Sequence, residues 1–495
     1  MLYRRAVAIA PRNPSQLLRI RPYKPPPGFF LPRSCSSHAT PKTPPPSVPA
    51  DHRQLGVEQD LFTTSIYSPG SPILLPNGAL IFNRLVQFLR QQYTRYGFQE
   101  VITPTIYKKA LWKKSGHLEN YSDDMFTVTS TSPSRSDAAA EASEEDEYGL
   151  KPMNCPGHCL IFASRRRTYR DLPIRYADFS PLHRNEISGA LTGLTRVRRF
   201  HQDDGHIFCR PSQIEEEIRK TLDFVRVVYS TFRLGSYRLT LSTRPEDQYM
   251  GSAEEWDAAE GALTRALDAS GQAWSVNKGD GAFYGPKIDI ILRDAYGKEH
   301  QTATIQLDFQ LPKRFELGYV APAPDYERRG ETTADPDALA ESGLVAPVLI
   351  HRAVLGSVER LMALLIEHYD GKWPFWLNPR QVMIATVNDS QPVMDLAKAA
   401  QDVLMGRRGS ADAPVSEATG FTVDIDDRLV GVGTKVYQAR AKGYSVIATV
   451  GPRQIPAGTV TCDLSRVDGE TPSKQVDMAP EALLQLLRNK ASAYV

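Results

Sequence analysis

Hydrophobic and polar positions alternate along this chain with two periods, helical and extended, and the switches between them mark its elements. Between residues 78 and 96, Ile81, Leu85, Phe88, Leu89 and Tyr93 share one face while Arg84, Gln87, Arg90 and Gln91 fall elsewhere, which predicts an amphipathic helix. Gly97 stops it, since glycine takes the left-handed turn of a helix end. Residues 98–103 then read as a strand ended by Pro104. Strands follow at 174–183, 197–208, 237–242 and 288–292, with a helix over 212–232. The stretch from His351 reads as the opening of a helix that continues to His368. Near Asn378 the pattern changes. Strands at 381–387, 422–426 and 445–450 interleave with helices at 392–405, 435–442 and 480–490. That alternation predicts a separate α/β domain over 378–495 with a mostly parallel sheet. Two polar, low-complexity stretches, 129–147 and about 321–343, predict disordered surface insertions.

Length supports this division: the chain has 495 residues, and one core rarely grows past about 250–300. The formal net charge of +2 hides an asymmetry. Residues 1–50 hold eight Lys/Arg, no Asp or Glu, and 12 of the 37 prolines. The rest therefore carries 51 basic against 57 acidic residues, a net of −6. A basic, acid-free, Arg- and Ser-containing opening segment reads as an organelle transit peptide, and its prolines deny it a helical core. Five cysteines in so long a chain exclude a disulfide scaffold and suit a reducing compartment. The longest apolar stretch, near 361–366, is far short of the ~20 residues that span a bilayer. Residues 378–495 hold 13 basic and 13 acidic residues. A nucleic-acid partner would therefore be gripped by a local arrangement of cations, which total charge does not report.

Three segments carry candidate chemistry. The strands 174–183 and 197–208 place Arg184, Glu186, Arg196, Arg198, Arg199, Phe200, Gln202, Asp203, Asp204 and His206 near a loop with Gly189 and Gly193. Unpaired buried charge is costly, so this is either a ligand site or a solvated basic hairpin. As a ligand site it suits a nucleotide: arginine forks a phosphate and a phenyl ring stacks on a base. In 351–360, Gly356 and Arg360 are four apart and would share a helix face, opening the backbone to a flat ligand whose phosphates Arg360 reaches. The alternative is a tight helix crossing and a surface arginine. Cys155, His206 and His351 are a ligand set that zinc prefers, with one position left open. Their spacings of 51 and 145 residues match no local zinc motif, and a cysteine in Asn-Cys-Pro-Gly-His otherwise serves a turn. The glycine-rich turn 279–287 lacks the P-loop pattern, and no dinucleotide fingerprint precedes a helix.

Together these segments resemble the threonyl-tRNA synthetase family of class II aminoacyl-tRNA synthetases. The resemblance runs from about Asp60 to the C-terminus through the blocks 151–158 (KPMNCPGH), 183–186 (HRNE), 198–208 (RRFHQDDGHIF), 282–287 (AFYGPK), 306–309 (QLDF) and 350–360 (IHRAVLGSVER). It implies an α+β catalytic domain over 51–377, built on an antiparallel six- to seven-stranded sheet flanked by helices. A small α/β anticodon-binding domain would follow over 378–495, with Arg428, Gly433 and Lys435 in register with the family. Helix 78–96 would be the first class II motif, at a homodimer interface, the hairpin 174–208 the second, and the strand-helix 350–368 the third.

The resemblance also implies roles. Arg184 would hold the α-phosphate of a bent ATP and Arg360 the γ-phosphate. Glu186 would contact adenine, Phe200 would stack on it, Gln301 would lie near the ribose, and Arg196 would join the ATP site. Arg184, Lys287 and Mg²⁺ would stabilise the charge that develops as the threonine carboxylate attacks the α-phosphorus. His117 would lie near the tRNA hydroxyl that accepts the threonyl group. Cys155, His206 and His351 would hold Zn²⁺, and Met153, Gln202, Asp204, Tyr284, Gln306 and Ser357 would line the L-threonine pocket. A metal demanding a hydroxyl oxygen rejects valine, whereas serine lacks only a methyl, worth ~1–3 kcal/mol. The expected activity is ATP-dependent charging of tRNA(Thr) in the mitochondrial matrix, by a short form without a cis editing domain. An inactive synthetase paralogue that binds tRNA is the competing expectation, against which the presence of both arginines and all three ligands stands.

Overall fold

A computed structural model describes residues 50–129, 147–247, 249–293, 299–407, 418–468 and 475–495. The basic segment before Ala50 and nearly all of the 129–147 insertion lie outside these residues. The first elements are helix α1 (His52–Glu58), capped by the Asp51 side chain, and helix α2 (Pro76–Arg95). Pro76 opens α2, where a missing N–H costs nothing. Ile81, Leu85, Phe88, Leu89 and Tyr93 are buried as their spacing predicts, packed in the main core of the chain. The strand expected over 98–103 shrinks to β1 (Gln99–Glu100), a short parallel edge.

Helix α3 (Cys155–Ala163) precedes strands β2 (Ile174–Asp178), β3 (Pro181–His183) and β4 (Arg199–Cys209). Then come α4 (Ile214–Thr231), β5 (Tyr237–Ser242), α5 (Ala253–Ser270), β6 (Trp274–Asn277), β7 (Lys287–Arg293) and β8 (Glu299–Asp308). Strand β9 (Val348–Ser357) and helix α6 (Val358–His368) complete the N-terminal part. These strands form one nine-stranded sheet in the order β6-β5-β7-β8-β9-β4-β2-β1, with β3 paired to β4. All its central pairings are antiparallel; β6 and β1 add parallel at the two edges, which enlarges the expected six or seven strands to nine.

Alternation along β4 and β9 separates the two faces of this sheet. Ile207, Ile350 and Val354 join the large apolar core under α2, α4, α5 and α6. Tyr176, Phe208 and Leu349 pack on the opposite side, against Cys159 and Phe162 of α3. Arg352 faces the large core, 2% exposed, its guanidinium 4.3–4.6 Å from the centroids of Tyr93, Phe98 and Phe224.

Two expectations fail here. Residues 351–357 are strand, and α6 begins only at Val358. Gly356 and Arg360 therefore share no helix face. The run Val348–Leu355 is buried on both sides, and a continuous apolar run does not distinguish a central strand from a helix. The 321–343 stretch is not a disordered insertion. It contains part of strand 319–322, helices 324–329 and 336–340, and the start of strand 342–345, and the two strands pair antiparallel. The buried Glu327 holds this lobe by accepting from Arg210 Nε at 2.6 Å and from Tyr319 Oη at 2.6 Å.

The C-terminal part comprises β10 (Val382–Thr386), α7 (Gln391–Met405), β11 (Val423–Asp426), α8 (Val432–Ala441), β12 (Val446–Val450), β13 (Val460–Asp463), β14 (Gln475–Met478) and α9 (Pro480–Ser492). Its five-stranded sheet runs β11-β10-β12-β13-β14, and it has its own core around Val382, Ile384, Leu404, Val446 and Leu483. The β11-β10-β12 pairings are parallel as expected; β13 and β14, unforeseen, add antiparallel. Arg84 of α2 ties the two parts together, donating to the Asn378 and Gly420 carbonyls and to Gln381 Oε1 at 2.8–2.9 Å.

Candidate active site

On the face opposite the large core the sheet carries a row of polar side chains. Register sets it: Gln306 on β8 lies opposite His351 on β9, which lies opposite His206 on β4. The next row, two residues along each strand, places Thr304, Ala353 and Asp204 side by side. A register shift then follows, with three residues of β9 between Ala353 and Ser357 against Asp203 alone on β4, and Gln202 lies opposite Ser357, where β9 ends. These rows floor a cleft of about 430 Å³. Every residue given a catalytic, ATP-binding, threonine-binding or metal role from sequence lines it except Lys287 and His117, while Arg198, Arg199 and Asp203 of the hairpin lie outside the lining.

At one end, Cys155 Sγ and one nitrogen each of His206 and His351 lie within 4.8 Å of one another, all buried. His206 Nε2 and His351 Nδ1 are 3.0 Å apart, and His351 Nε2 is 2.8 Å from Asp308 Oδ2. The carboxylate accepts a hydrogen bond from Nε2–H, which fixes the proton there, so the Nδ1 lone pair faces the cluster. His206 Nδ1 has no hydrogen-bond partner among the described residues. Burial pushes the Cys155 thiol up and the His206 imidazole down, so a buried cation would reverse an otherwise unfavourable thiolate. A soft thiolate, two neutral imidazoles and an orienting carboxylate fit zinc. Asp204 lies beside this cluster, where Asn154 Nδ2 donates to it at 3.0 Å. Tyr284 Oη donates to Gln306 Oε1, and its ring lies 5.1 Å from that of His351.

The other end is cationic. The Arg184 guanidinium lies over the rings of Phe200, at 5.2 Å, and Tyr121, at 5.9 Å. Arg196 pairs with Glu186 at 2.8 Å. Arg360 Nε donates to the Thr195 carbonyl at 3.2 Å. Burial, then the fields of Arg184 and Arg196, lower the hold of Arg360 on its proton, so three converging guanidinium groups favour an anion between them. Gly356 sits here with φ +67°, and a Cβ on it would meet the Thr302 carbonyl at 3.1 Å. Glycine is thus required by the turn from β9 into α6. Ser357 caps α6, accepting from Arg360 N at 3.1 Å.

Lys287 is held outside the cleft lining by Asp280 and Asp289, at 3.1 and 3.0 Å. Gln301, which does line the cleft, donates to Asp289, so the lysine reaches the cleft through a carboxylate bridge. His117 is 1% exposed, with Nε2 3.8 Å from Cys155 Sγ and 3.2 Å from Met153 Sδ, and burial pushes it down to about 4. It belongs to the surroundings of the thiol. Sequence reasoning missed Tyr121, Thr195, Thr302 and Thr304 in the lining. Thr302 and Thr304 could have been found as neighbours of Gln301 and Gln306 on β8; Thr195, in a loop, and Tyr121, a lone aromatic in a helical turn, carried no signal.

Comparison with known proteins agrees with this geometry. The family description "tRNA synthetase class II core domain (G, H, P, S and T)" matches residues 139–333, and "Anticodon binding domain" matches 381–490. A protein of Schizosaccharomyces pombe named probable threonine–tRNA ligase, mitochondrial, is 48% identical over 428 residues, 86% of each chain. The mitochondrial threonine–tRNA ligase of Saccharomyces cerevisiae is 46% identical over 86% of this chain and 88% of its own. A crystal structure of the RNA binding domain of threonyl-tRNA synthetase from Cryptosporidium parvum Iowa II superposes with a TM-score of 0.76 at 41% identity, covering 89% of this chain and 98% of that one. With a class II catalytic sheet, a C-terminal anticodon-binding domain and relatives matched over most of their length, the chain belongs to the threonyl-tRNA synthetase family, the threonine–tRNA ligases.

Proposed function

We propose that the cleft binds L-threonine and ATP at its two ends, joins them as threonyl-adenylate with release of pyrophosphate, and passes the threonyl group to tRNA(Thr) with release of AMP. One observation carries this reading: a Cys/His/His cluster and a three-arginine anion site face each other across one cleft, with Asp204 beside the cluster.

Cys155, His206 and His351 would hold zinc, which when bound supplies a Lewis acid for the amino and hydroxyl groups of threonine. Asp204 accepts the ammonium, and Gln306, fixed by Tyr284, faces the side-chain pocket with Met153 and Gln202. ATP enters as its magnesium complex, with Arg184 on the α-phosphate and Arg360 on the γ-phosphate. Adenine then takes the face of Phe200 over which Arg184 now lies, beside Glu186 and Arg196. Negative charge spreading over the α-phosphate meets the Arg184 guanidinium, which leaves the Phe200 face to adenine, and the threonine carboxylate needs no general base. Lys287 acts through the Asp289–Gln301 bridge at the ribose side, and Ser357 through its cap on α6.

Residues 51–377 form the catalytic domain and 378–495 the anticodon-binding domain in this reading, with function in the mitochondrial matrix after removal of a transit peptide. The mitochondrial relatives and the basic opening segment support that location. Among the described residues no helix is long and apolar enough to cross a membrane. A homodimer is proposed on the family resemblance alone; light scattering of the purified chain tests it.

ATP–pyrophosphate exchange with threonine, serine, valine and proline, with and without a zinc chelator, tests the chemistry. Threonine-dependent exchange lost on chelation is expected. Exchange with proline alone, or an unchanged rate in chelator, overturns the reading.

A further inference from the structure

We propose that His52, outside the cleft, is a positioning residue that clamps the cleft loop 192–196 onto helix α6, an inference that rests on reading this end of the cleft as the ATP site. His52 is 4% exposed, and both of its ring nitrogens are committed. Nδ1 lies 2.7 Å from Glu367 Oε1, and the His52 backbone N–H donates to the same oxygen at 3.2 Å. A carboxylate only accepts, so the ring proton sits on Nδ1. Nε2 is then an acceptor, and it receives the Leu194 N–H at 3.3 Å.

The loop is a tight turn. Thr192 and Arg196 exchange both backbone hydrogen bonds, and Leu194 is fully buried in the large core. Its neighbour Thr195 offers its carbonyl to Arg360 Nε at 3.2 Å. Arg360 and Glu367 stand about two turns apart on the same helix. Helix α6 therefore grips two neighbouring residues of the loop, Thr195 directly through Arg360 and Leu194 through His52. The fit is close: Gly193 has φ +47°, and a Cβ there would stand 2.1 Å from His52 Nε2. From the clamped pair onward, Thr195, Arg196 and Val197 line the cleft, and Arg196 holds Glu186. Releasing Leu194 would let these groups drift from the nucleotide while the Cys155 end, floored by β4, β8 and β9, stays in place.

The pair His52→Gln and His52→Asn tests the clamp, with His52→Ala beside them. The glutamine amide reaches the place of Nε2 and can accept from Leu194; the asparagine amide reaches only the place of Nδ1 and keeps Glu367. In ATP–pyrophosphate exchange, His52→Ala and His52→Asn should raise the KM for ATP roughly three- to tenfold with the KM for threonine unchanged. His52→Gln should recover most of the loss, although the three variants melt at similar temperatures. Hydrogen exchange of the 192–196 amides should speed up in the Ala and Asn variants and not in Gln. Equal rescue by Asn and Gln, a parallel rise in both KM values, or folded variants with an unchanged KM for ATP would overturn the clamp. If the wild-type chain shows no threonine-dependent exchange, the reading of the cleft fails instead, and the amide exchange still decides whether the clamp exists.

Discussion

Among the described residues, two clusters of ligand-type side chains, one buried throughout and one half-buried around His52, have the same outward geometry. Cys155, His206 and His351 place three donor atoms within 4.8 Å, and so do Asp51, His52 and Glu367. Their chemistry differs because of what lies beyond the donors. In the second cluster every donor is already occupied by the protein. His52 donates to Glu367 and accepts from Leu194, while Asp51 caps α1 and accepts from the Arg53 guanidinium at 2.6–3.1 Å. Those are the marks of a strut. In the first cluster Asp308 orients His351 from behind, and His206 Nδ1 has no hydrogen-bond partner among the described residues. Proximity of ligand types alone therefore identifies little; the partners of the far-side atoms decide between a metal centre and a structural tie.

Cys155→Ala should break this contrast most deeply. Removing a ligand should cost threonine-dependent exchange more than the ~100-fold upper range of an orienting partner, with loss of bound zinc by elemental analysis. Retained zinc and activity would remove the metal from the threonine end. Arg360→Ala should lower kcat/KM for ATP about 10²–10³-fold in the same assay, the scale for removing one preorganised donor from a developing charge. Asp308→Asn keeps all three ligands but weakens the carboxylate behind His351. Zinc affinity, titrated against a competing chelator, should fall ~10–100-fold. The smallest effect belongs to the strut. Glu367→Gln should leave zinc content unchanged and raise the KM for ATP about twofold, since a neutral amide oxygen still accepts from His52. A loss of metal there would erase the distinction between the clusters.

Much of the first cluster and little of the second was legible in the sequence. His206 and Asp204 announce themselves as charged and polar positions on a strand, where burial without a ligand is costly. Their partner strand was misread. Residues 351–357 looked helical because a central strand buried on both faces loses the alternation that marks an edge. Gly356 was singled out for the wrong geometry; its true need is a positive φ at the strand-to-helix turn. The 321–343 stretch looked disordered from its prolines and charges. The Glu327 contacts that order it come from residues 117 positions away and 8 positions away, and the distant one is invisible to local composition. His52 gave no signal at all, as one histidine in a short polar helix.

By itself the sequence determined the periodicities, hence the α+β character, the change of architecture near Asn378, and an ordered set of motif blocks sufficient for the family. It also determined which residue types were present for phosphate, carboxylate and metal chemistry. Tertiary structure alone decided which of them meet. Strand register brought His206 beside His351 across 145 residues, and a register shift set Gln202 opposite Ser357. A carboxylate bridge drew Lys287 out of the cleft lining, and His52 was placed under a loop 142 residues away. The physical reason is that local pattern encodes the face on which a side chain lies, whereas partners at long separation are fixed only when several strands and helices bury their faces together.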